Sequence, residues 1–312
     1  MTTIKTNILQ KYNDICVSDI MYFFEQNSKS ENDITNKIRE NILKSIIHIP
    51  DSFISNNEYG EKWFELKGLF ELTLKLLCPC NYKSVNIVSK GGMKYNYDFE
   101  AQYINDLGDI IYEVKIEFKN NNNCVLKLPQ FLELYDSDCK TKYNIFPYSY
   151  SEFYYDNYLD KYIKLDKNLI LEKPSKDIYL QYIKDINYKH PFFNQLYINK
   201  HNFKKEKDEI VNESKQQFIY LYSHCFRFDK LSDKIRDSQT NKVYLLWDKN
   251  EMHTDVLDVK NIKISGIKPN TIKKMCFDLD VNNFIYDICV RLNWGNNNGI
   301  ANPRWKFTFI NK

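Results

Sequence analysis

Two carboxylates and an ammonium group are spaced so that a single turn would bring them onto one face of a strand pair. In "KYNYDFEAQYINDLGDIIYEVKIEFKNN" (residues 94–121), Asp98 is followed across a turn by Glu117 and Lys119. The stretch reads as two strands joined at Asp106-Leu107-Gly108-Asp109, with Gly108 supplying the positive φ a tight turn needs. With Leu107-Gly108 at the tip, antiparallel pairing sets Asp98 opposite Glu117, Glu100 opposite Lys115 and Gln102 opposite Glu113. Tyr95, Tyr97, Phe99, Ala101 and Tyr103, with Tyr112, Val114, Ile116 and Phe118, fall on the other face, which is the core-facing one. Glu100 and Lys115 form an opposite-charge cross-strand pair, worth about 0.2–1 kcal/mol, and require no function. Asp98 and Glu117 are like charges placed opposite each other, which destabilises a sheet. A divalent cation between them removes the repulsion, and hard carboxylate oxygens suit Mg2+ or Mn2+. A solvated hairpin face, its charges kept apart by water, is the alternative.

An Asp, a turn, and then Glu-x-Lys resembles the site of the PD-(D/E)XK, or restriction-endonuclease-like, nuclease superfamily. Asp98, Glu117 and Lys119 occupy the named places, and Tyr97 replaces the proline of the motif. Glu113-Val114-Lys115 is a second Glu-x-Lys, and a turn shifted toward Asn105-Asp106 would favour it. "GEKWFELKGLFELTLKLL" is similar to the Gly…Phe-Glu helix of type IV restriction nucleases through Gly60, Phe64 and Glu65. Gln130 in "LPQFLELY" is similar to the glutamine that follows the motif in some of these enzymes. "GGMKYNYDF", "IEFK" and "LPQFL" together look like restriction-type reading frames of giant DNA viruses. The resemblance covers roughly residues 58–135. It implies Asp98 and Glu117 as metal ligands, Lys119 as the residue that orients or activates the attacking hydroxide, and Glu65 as an added catalytic carboxylate. DNA is the implied substrate, ahead of RNA, and a homodimer is a form many such enzymes take.

The elements that must position these residues follow from periodicity. Leu9, Ile15, Ile20 and Phe23-Phe24 recur at helical spacing, and Ile34, Ile38, Ile42 and Ile46 form an i, i+4 row over 34–47 with Asn32 or Asp33 as its cap. Glu61–Leu77 reads as a helix with Leu69, Leu72 and Leu76 on one side; Glu65 shares that side, which should tilt it toward the protein. Val85–Val88 reads as a strand leading through "SKGGMK" into the hairpin, and "LPQFLELY" as the start of a helix with Pro129 in its first turn. Residues 143–200 read as short helices and loops, and 204–222 as a helix. From Lys242 the pattern turns to β-branched and aromatic strands: "KVYLLWD", "DVKNIKISGI", "FIYDICVRLNW" and "WKFTFI". The expected architecture is α+β: a helical lead (1–57), a restriction-endonuclease-like core (58–200) and a β-rich module (201–312).

Composition and charge bound the function. The chain has 312 residues, 43% of them hydrophobic, and carries a net charge of +3. Residues 1–150 hold 17 basic and 20 acidic residues, and 151–312 the remaining 27 and 21. An acidic centre beside a mildly basic half suits a polyanionic substrate. Lys200, Lys204, Lys205 and Lys207, with Arg291 and Arg304, are the candidate phosphate contacts. Trp294 and Trp305 stand with the two arginines at the base of a Gly/Asn loop, 295–303, as stacking residues or as core of a β module. No apolar run matches a membrane span or signal peptide, and the eight cysteines are scattered, so an intracellular protein with reduced thiols is expected, in cytoplasm, nucleus or viral factory. Cys78-Pro-Cys80 lacks a second pair for zinc, and His224-Cys225 and His253 lack a neighbouring acid for nucleophilic catalysis. "GGMK" at Gly91-Gly92 lacks the Ser/Thr of a phosphate-binding loop.

Overall fold

The computed structural model describes residues 15–25, 32–90, 95–166, 169, 171–184, 188–259, 262–268, 275–281, 284–294 and 303–310. Leu9, the caps Asn32 and Asp33 as side chains, Gly91-Gly92, the side chain of Trp294 and most of the loop 295–303 lie outside what is described. In chain order the strands are β1 (Ser84–Ser89), β2 (Phe99–Ile104), β3 (Ile110–Asn120), β4 (Leu132–Tyr135), β5 (Lys242–Asp248), β6 (Glu251–Asp255), β7 (Ile262–Lys268), β8 (Met275–Val281), β9 (Phe284–Trp294) and β10 (Pro303–Phe309). The molecule is mixed α+β, as expected, with two five-stranded sheets.

The chain forms two compact units. One gathers residues 1–127 with 239–257, the other 128–238 with 258–312. These differ from the expected breaks at 57/58 and 200/201. The helical lead belongs with the hairpin rather than apart from it, and "KVYLLWD" leaves the β-rich segment to join the hairpin's sheet. Its partner is β3, far away in sequence, and no local pattern announces such a pairing.

In the first unit the sheet order is β1-β2-β3-β5-β6. All neighbours are antiparallel except β3 and β5, which run parallel. The helices of this unit are α1 (Met21–Phe24), α2 (Asn32–Ile46), α3 (Asp51–Ile54) and α4 (Gly60–Leu77). One core joins Ile42, Leu43 and Ile46 of α2, Trp63, Leu66, Phe70 and Leu74 of α4, and the inward residues of the strands, Phe99, Ala101, Tyr103, Val114, Ile116, Phe118, Leu245 and Trp247. The inward face of the hairpin is therefore the aromatic one that alternation selects. Buried aromatic side chains place their polar tips on backbone oxygens: Trp247 donates to Phe23 O (2.7 Å), Trp63 to Val17 O (2.9 Å) and Tyr103 to Leu74 O (2.7 Å). These bonds tie the N-terminal helices to the sheet.

The face of α4 that packs inward carries Trp63, Leu66, Phe70, Thr73 and Leu74. Leu72 and Leu76 point outward, at 56% and 78% exposure. Glu65 sits on the same outward side, ion-paired with Lys62 at 3.0 Å. The expected tilt of Glu65 toward the protein is thus corrected: the bulkier Trp63 and Phe70 win the core, Leu69 packs at its margin, and Leu72 and Leu76 are left to solvent.

The second unit carries β4-β10-β9-β8-β7, antiparallel throughout. Its helices are α5 (Asp136–Thr141), α6 (Tyr150–Asn157), α7 (Leu159–Lys164), α8 (Lys176–Lys184), α9 (Pro191–Ile198), α10 (Lys204–Tyr222) and α11 (Phe228–Gln239). "LPQFLELY" is an edge strand here and not the start of a helix: Leu132 and Leu134 alternate inward and pair with β10. Period-two alternation outweighs the permissive Pro129. Asp136, fully buried just after β4, accepts five hydrogen bonds from Ser149, Tyr150, Ser151 (twice) and Trp305. Burial raises its carboxyl above the usual range against the pull of those donors. It staples α5, α6 and β10 together.

Two glycines of α4 test this packing. A Cβ on Gly60 would stand 2.8 Å from Ile54 O, whereas one on Gly68 would meet nothing within 4 Å. Gly60→Ala should lower stability by about 1–3 kcal/mol, and Gly68→Ala should raise it by about 0.5–1 kcal/mol. Urea unfolding of the two variants reads both signs.

Candidate active site

The site grows from the place where β2 begins. Asp98 N–H donates to Ile116 O (2.9 Å), and Phe118 N–H donates back to Asp98 Oδ2 (2.8 Å) rather than to a backbone carbonyl. The carboxylate thus takes over a rung of the ladder, which is why regular pairing starts at Phe99↔Ile116. That bond fixes the Asp98 side chain beside Glu117. The register is the expected one: Glu100↔Lys115, Gln102↔Glu113 and Tyr103↔Tyr112, with Gly108 at φ 89° in the turn.

Glu117 is gripped from two sides. Lys119, two residues on along the same face, forms an ion pair with Oε1. Lys242 approaches Oε2 at 3.0 Å from β5. Lys242 is almost wholly buried, donates to Asn96 O (2.5 Å) and lies over the Tyr244 ring at 4.8 Å. The parallel register Lys115↔Lys242 and Glu117↔Tyr244 puts it there.

The charges settle accordingly. Burial, and after it the negative charge of Glu117, raise the Asp98 carboxyl to about 6, against the pull of Lys119. Burial also pushes Glu117 upward, but Lys119 and Lys242 together outweigh it and hold its carboxyl below the usual range. Burial works against the Lys119 ammonium, yet Glu117 and Asp98 leave it more firmly protonated than an ordinary lysine. Lys242 goes the other way: burial lowers it, and Glu117 only partly resists.

A third carboxylate acts on this pair from α2. Glu40 raises Asp98 and reinforces Lys119 through its charge, and Lys37 and Lys44, three residues before and four after it on the helix, also feel Asp98. Glu40 is ion-paired with Lys37 at 2.9 Å. It is this carboxylate, and not Glu65, whose charge acts on Asp98. The signal was present in Lys37-Glu40-Lys44, one polar stripe opposite Ile38 and Ile42, but a charged stripe on an amphipathic helix usually marks a solvated face. Lys242 had no local signal.

The remaining candidates fall elsewhere. Glu113 is exposed and accepts a bond from Gln102 (3.0 Å); Lys115 reaches Thr240 O at 3.5 Å. Glu100 takes Lys90 as its ion-pair partner, at 3.4 Å, although its cross-strand neighbour is Lys115. Gln130 is half-buried in the second unit, in the segment before β4. In that unit Lys204 and Lys205 are exposed at the start of α10 and Arg291 is exposed on β9. Lys207 is corrected: it is buried, donating to Asn199 O (2.9 Å) with Asp166 at 3.9 Å, and offers no phosphate contact. Arg304 is already engaged, at 2.5 Å from Glu133 and over the Tyr135 ring. Trp305 is core. Lys200 lies over Tyr197 at 4.1 Å.

Among the described residues no three His, Cys, Asp or Glu side chains converge as a ready metal cage. The donor set at Asp98 and Glu117 nevertheless fits a hard divalent cation: two carboxylates close enough for one to raise the other's pKa, a condition a cation relieves. Among the described residues no helix is long and apolar enough to cross a membrane. No protein family matches the sequence, and no curated protein matches it either.

The raised Asp98 carboxyl has a thermodynamic sign. Its folded pKa of about 6 exceeds the 3.8 of the free side chain, so between those values the folded state binds more protons than the unfolded one. Stability therefore falls as pH rises from 4 to 6, and the ionised group is a burden at pH 7. Asp98→Asn, which can still accept the Phe118 N–H, should stabilise the metal-free protein at pH 7 by up to about 3 kcal/mol, less whatever Glu117 absorbs by titrating with it. The gain should vanish below pH 4; thermal melts across pH 4–8 measure it.

Proposed function

We propose that this chain is a metal-dependent phosphodiesterase, a DNA endonuclease of the restriction-endonuclease-like kind. The observation that carries the proposal is the half-buried, like-charged pair Asp98/Glu117 with the Lys119 ammonium on the same strand face. Supporting it is the sheet: an antiparallel hairpin whose second strand, β3, pairs parallel with a later strand, β5, and carries Glu-x-Lys on its polar side. Three carboxylates (Asp98, Glu117, Glu40) and four ammonium groups (Lys119, Lys242, Lys37, Lys44) share the electrostatics of this region. That mixture suits a substrate that is itself an anion and must be held beside a cation.

In this reading Asp98 and Glu117 hold Mg2+ or Mn2+, with Glu40 a further carboxylate whose charge reaches Asp98. A divalent ion there supplies Lewis acidity toward the phosphate and lowers the pKa of bound water. The chain's own residues do the rest. Phe118 N–H keeps one Asp98 oxygen oriented. Lys242 holds one oxygen of Glu117 and keeps that carboxylate ionised. Lys119, kept protonated by Glu117 and Asp98, supplies fixed positive charge against the negative charge that accumulates on the phosphoryl oxygens as the bond breaks. Exposed Lys204, Lys205 and Arg291 are the phosphate contacts the second unit offers.

A cleavage assay on supercoiled plasmid and on single-stranded RNA, with Mg2+ or Mn2+ and an EDTA control, tests the proposal. DNA nicking that EDTA abolishes is the expected result. RNA cleavage alone would move the substrate to RNA, and duplex binding with no cleavage of either would make the chain an inactive binding factor. Lys119→Ala should reduce cleavage by at least about 100-fold, whereas Lys115→Ala should leave it within a few-fold. The reverse pattern would transfer the site to Glu113-x-Lys115.

Duplex binding divides the second unit's basic residues further. Arg291→Ala should lower the salt slope of DNA binding by about one unit, the signature of one lost phosphate contact. Arg304→Ala should leave the slope unchanged because Glu133 already occupies that guanidinium. Fluorescence anisotropy at several salt concentrations reads both, and equal slopes for the two variants would remove Arg291 from the interface.

A further inference from the structure

Eight cysteines are scattered along the sequence, and the sheet of the second unit places two of them directly opposite one another. Cys276 of β8 and Cys289 of β9 are register partners in an antiparallel ladder that runs without a slip from Met275↔Val290 to Val281↔Phe284. Directly opposed residues in such a ladder have Cα atoms about 4.5–5.5 Å apart, whichever kind of rung they occupy. A disulfide spans about 4.4–6.8 Å between Cα atoms. Opposed side chains also leave the same face of the sheet, so both sulfurs project from one side of it. The pair is held in place by its surroundings: Cys276 and Cys289 are 2% and 1% exposed, Cys289 O accepts Thr308 Oγ1 at 3.4 Å from β10, and β9 is sandwiched between β8 and β10. Both are thiols in the structure.

We propose that Cys276 and Cys289 form a reversible cross-strand disulfide, a redox modification site whose oxidant is a low-molecular-weight disulfide of the glutathione class. Each event consumes two thiols and one oxidant disulfide. One cysteine thiolate attacks the oxidant's sulfur and expels a thiolate. The opposed cysteine, deprotonated in turn, attacks the resulting mixed disulfide and expels the second. The products are the bridge and two small thiols; two electrons pass from the protein to the oxidant, and the cysteine protons end on the departing thiolates. Burial makes the pair slow to react and selective, because access requires the β8–β9 ladder to breathe. The bridge would then staple that hairpin, and a small-molecule thiol would release it.

The site is independent of the proposed nuclease chemistry, and so is its test. The full-length folded protein is incubated with oxidised glutathione, its remaining thiols are alkylated, and a non-reduced peptide digest is read by mass spectrometry. The expected result is a linked Cys276–Cys289 peptide pair, lost on dithiothreitol treatment, with an apparent melting temperature higher by roughly 5–10 °C in the bridged form. Cys289→Ser should abolish both. If that variant does not fold, the wild-type peptide map decides alone. A map in which 276 and 289 both stay alkylated after prolonged oxidation overturns the proposal. So does one in which either is bridged to another cysteine, or in which oxidation stops at the half-buried Cys78 and the exposed Cys80.

Discussion

Parallel pairing between β3 and β5 is the interaction on which the rest of the first unit depends. It places Leu245 and Trp247 in the core, beside the Val114, Ile116 and Phe118 face of β3. It also sets Lys242 against the polar face, where Glu117 would otherwise be a half-buried carboxylate with a single counter-ion. A buried charge of that kind costs several kcal/mol unless it is paired and hydrogen-bonded. The hairpin itself offers Glu117 one counter-ion, Lys119, and a strand from much later in the chain supplies the second, Lys242. Glu117 settles as the ionised member of the acidic pair and Asp98 as the proton-hungry one because the two lysines reach Glu117 while Asp98 has the Phe118 amide. Their environments split two similar side chains into different roles.

The hairpin was legible in the sequence because its signals are local. Period-two alternation, a Gly at the tip and a like-charge opposition follow from residues within about 25 positions of each other, and the register they imply is the one observed from Phe99↔Ile116 to Tyr103↔Tyr112, with a one-residue slip at Ile104↔Ile110 beside the turn. Helix α4 was legible in extent but not in orientation, since Leu69, Leu72 and Leu76 make as good a stripe as Trp63, Phe70 and Leu74 until something is packed against one of them. Glu65 was misplaced for that reason alone. Lys37, Glu40 and Lys44 read as an ordinary solvated stripe, and nothing in the sequence says that Asp98 feels the charge of Glu40 and is felt by the two lysines. Lys242 was out of reach: "KVYLLWD" shows a buried strand but not which sheet it enters.

The same limit explains the domain boundaries. Composition changes near residue 200, where helices give way to strands, and a local reading cuts there. Contacts cut elsewhere, because strands sort by partner and not by neighbourhood. β4, at 132–135, pairs with β10 at the far end of the chain, while β5 and β6 leave their strand-rich surroundings for the hairpin. Arg304 and Lys207 show this for single residues. Both are basic and both fall in the basic half, but Glu133 holds one and Asn199 with Asp166 surround the other.

The late arrival of β5 has a consequence for how the protein is made. Lys115 touches Thr240 across a separation of 125 residues. At translation rates of about 5–20 residues per second, the hairpin waits on the order of ten seconds for the strand that completes its sheet. Throughout that interval β3 presents an unpaired edge with Val114, Ile116 and Phe118 on one side, an open template for another chain. Lys115, Glu117 and Lys119 alternate along the other side of the same strand. Alternating charges of that kind disfavour edge-to-edge pairing with another copy.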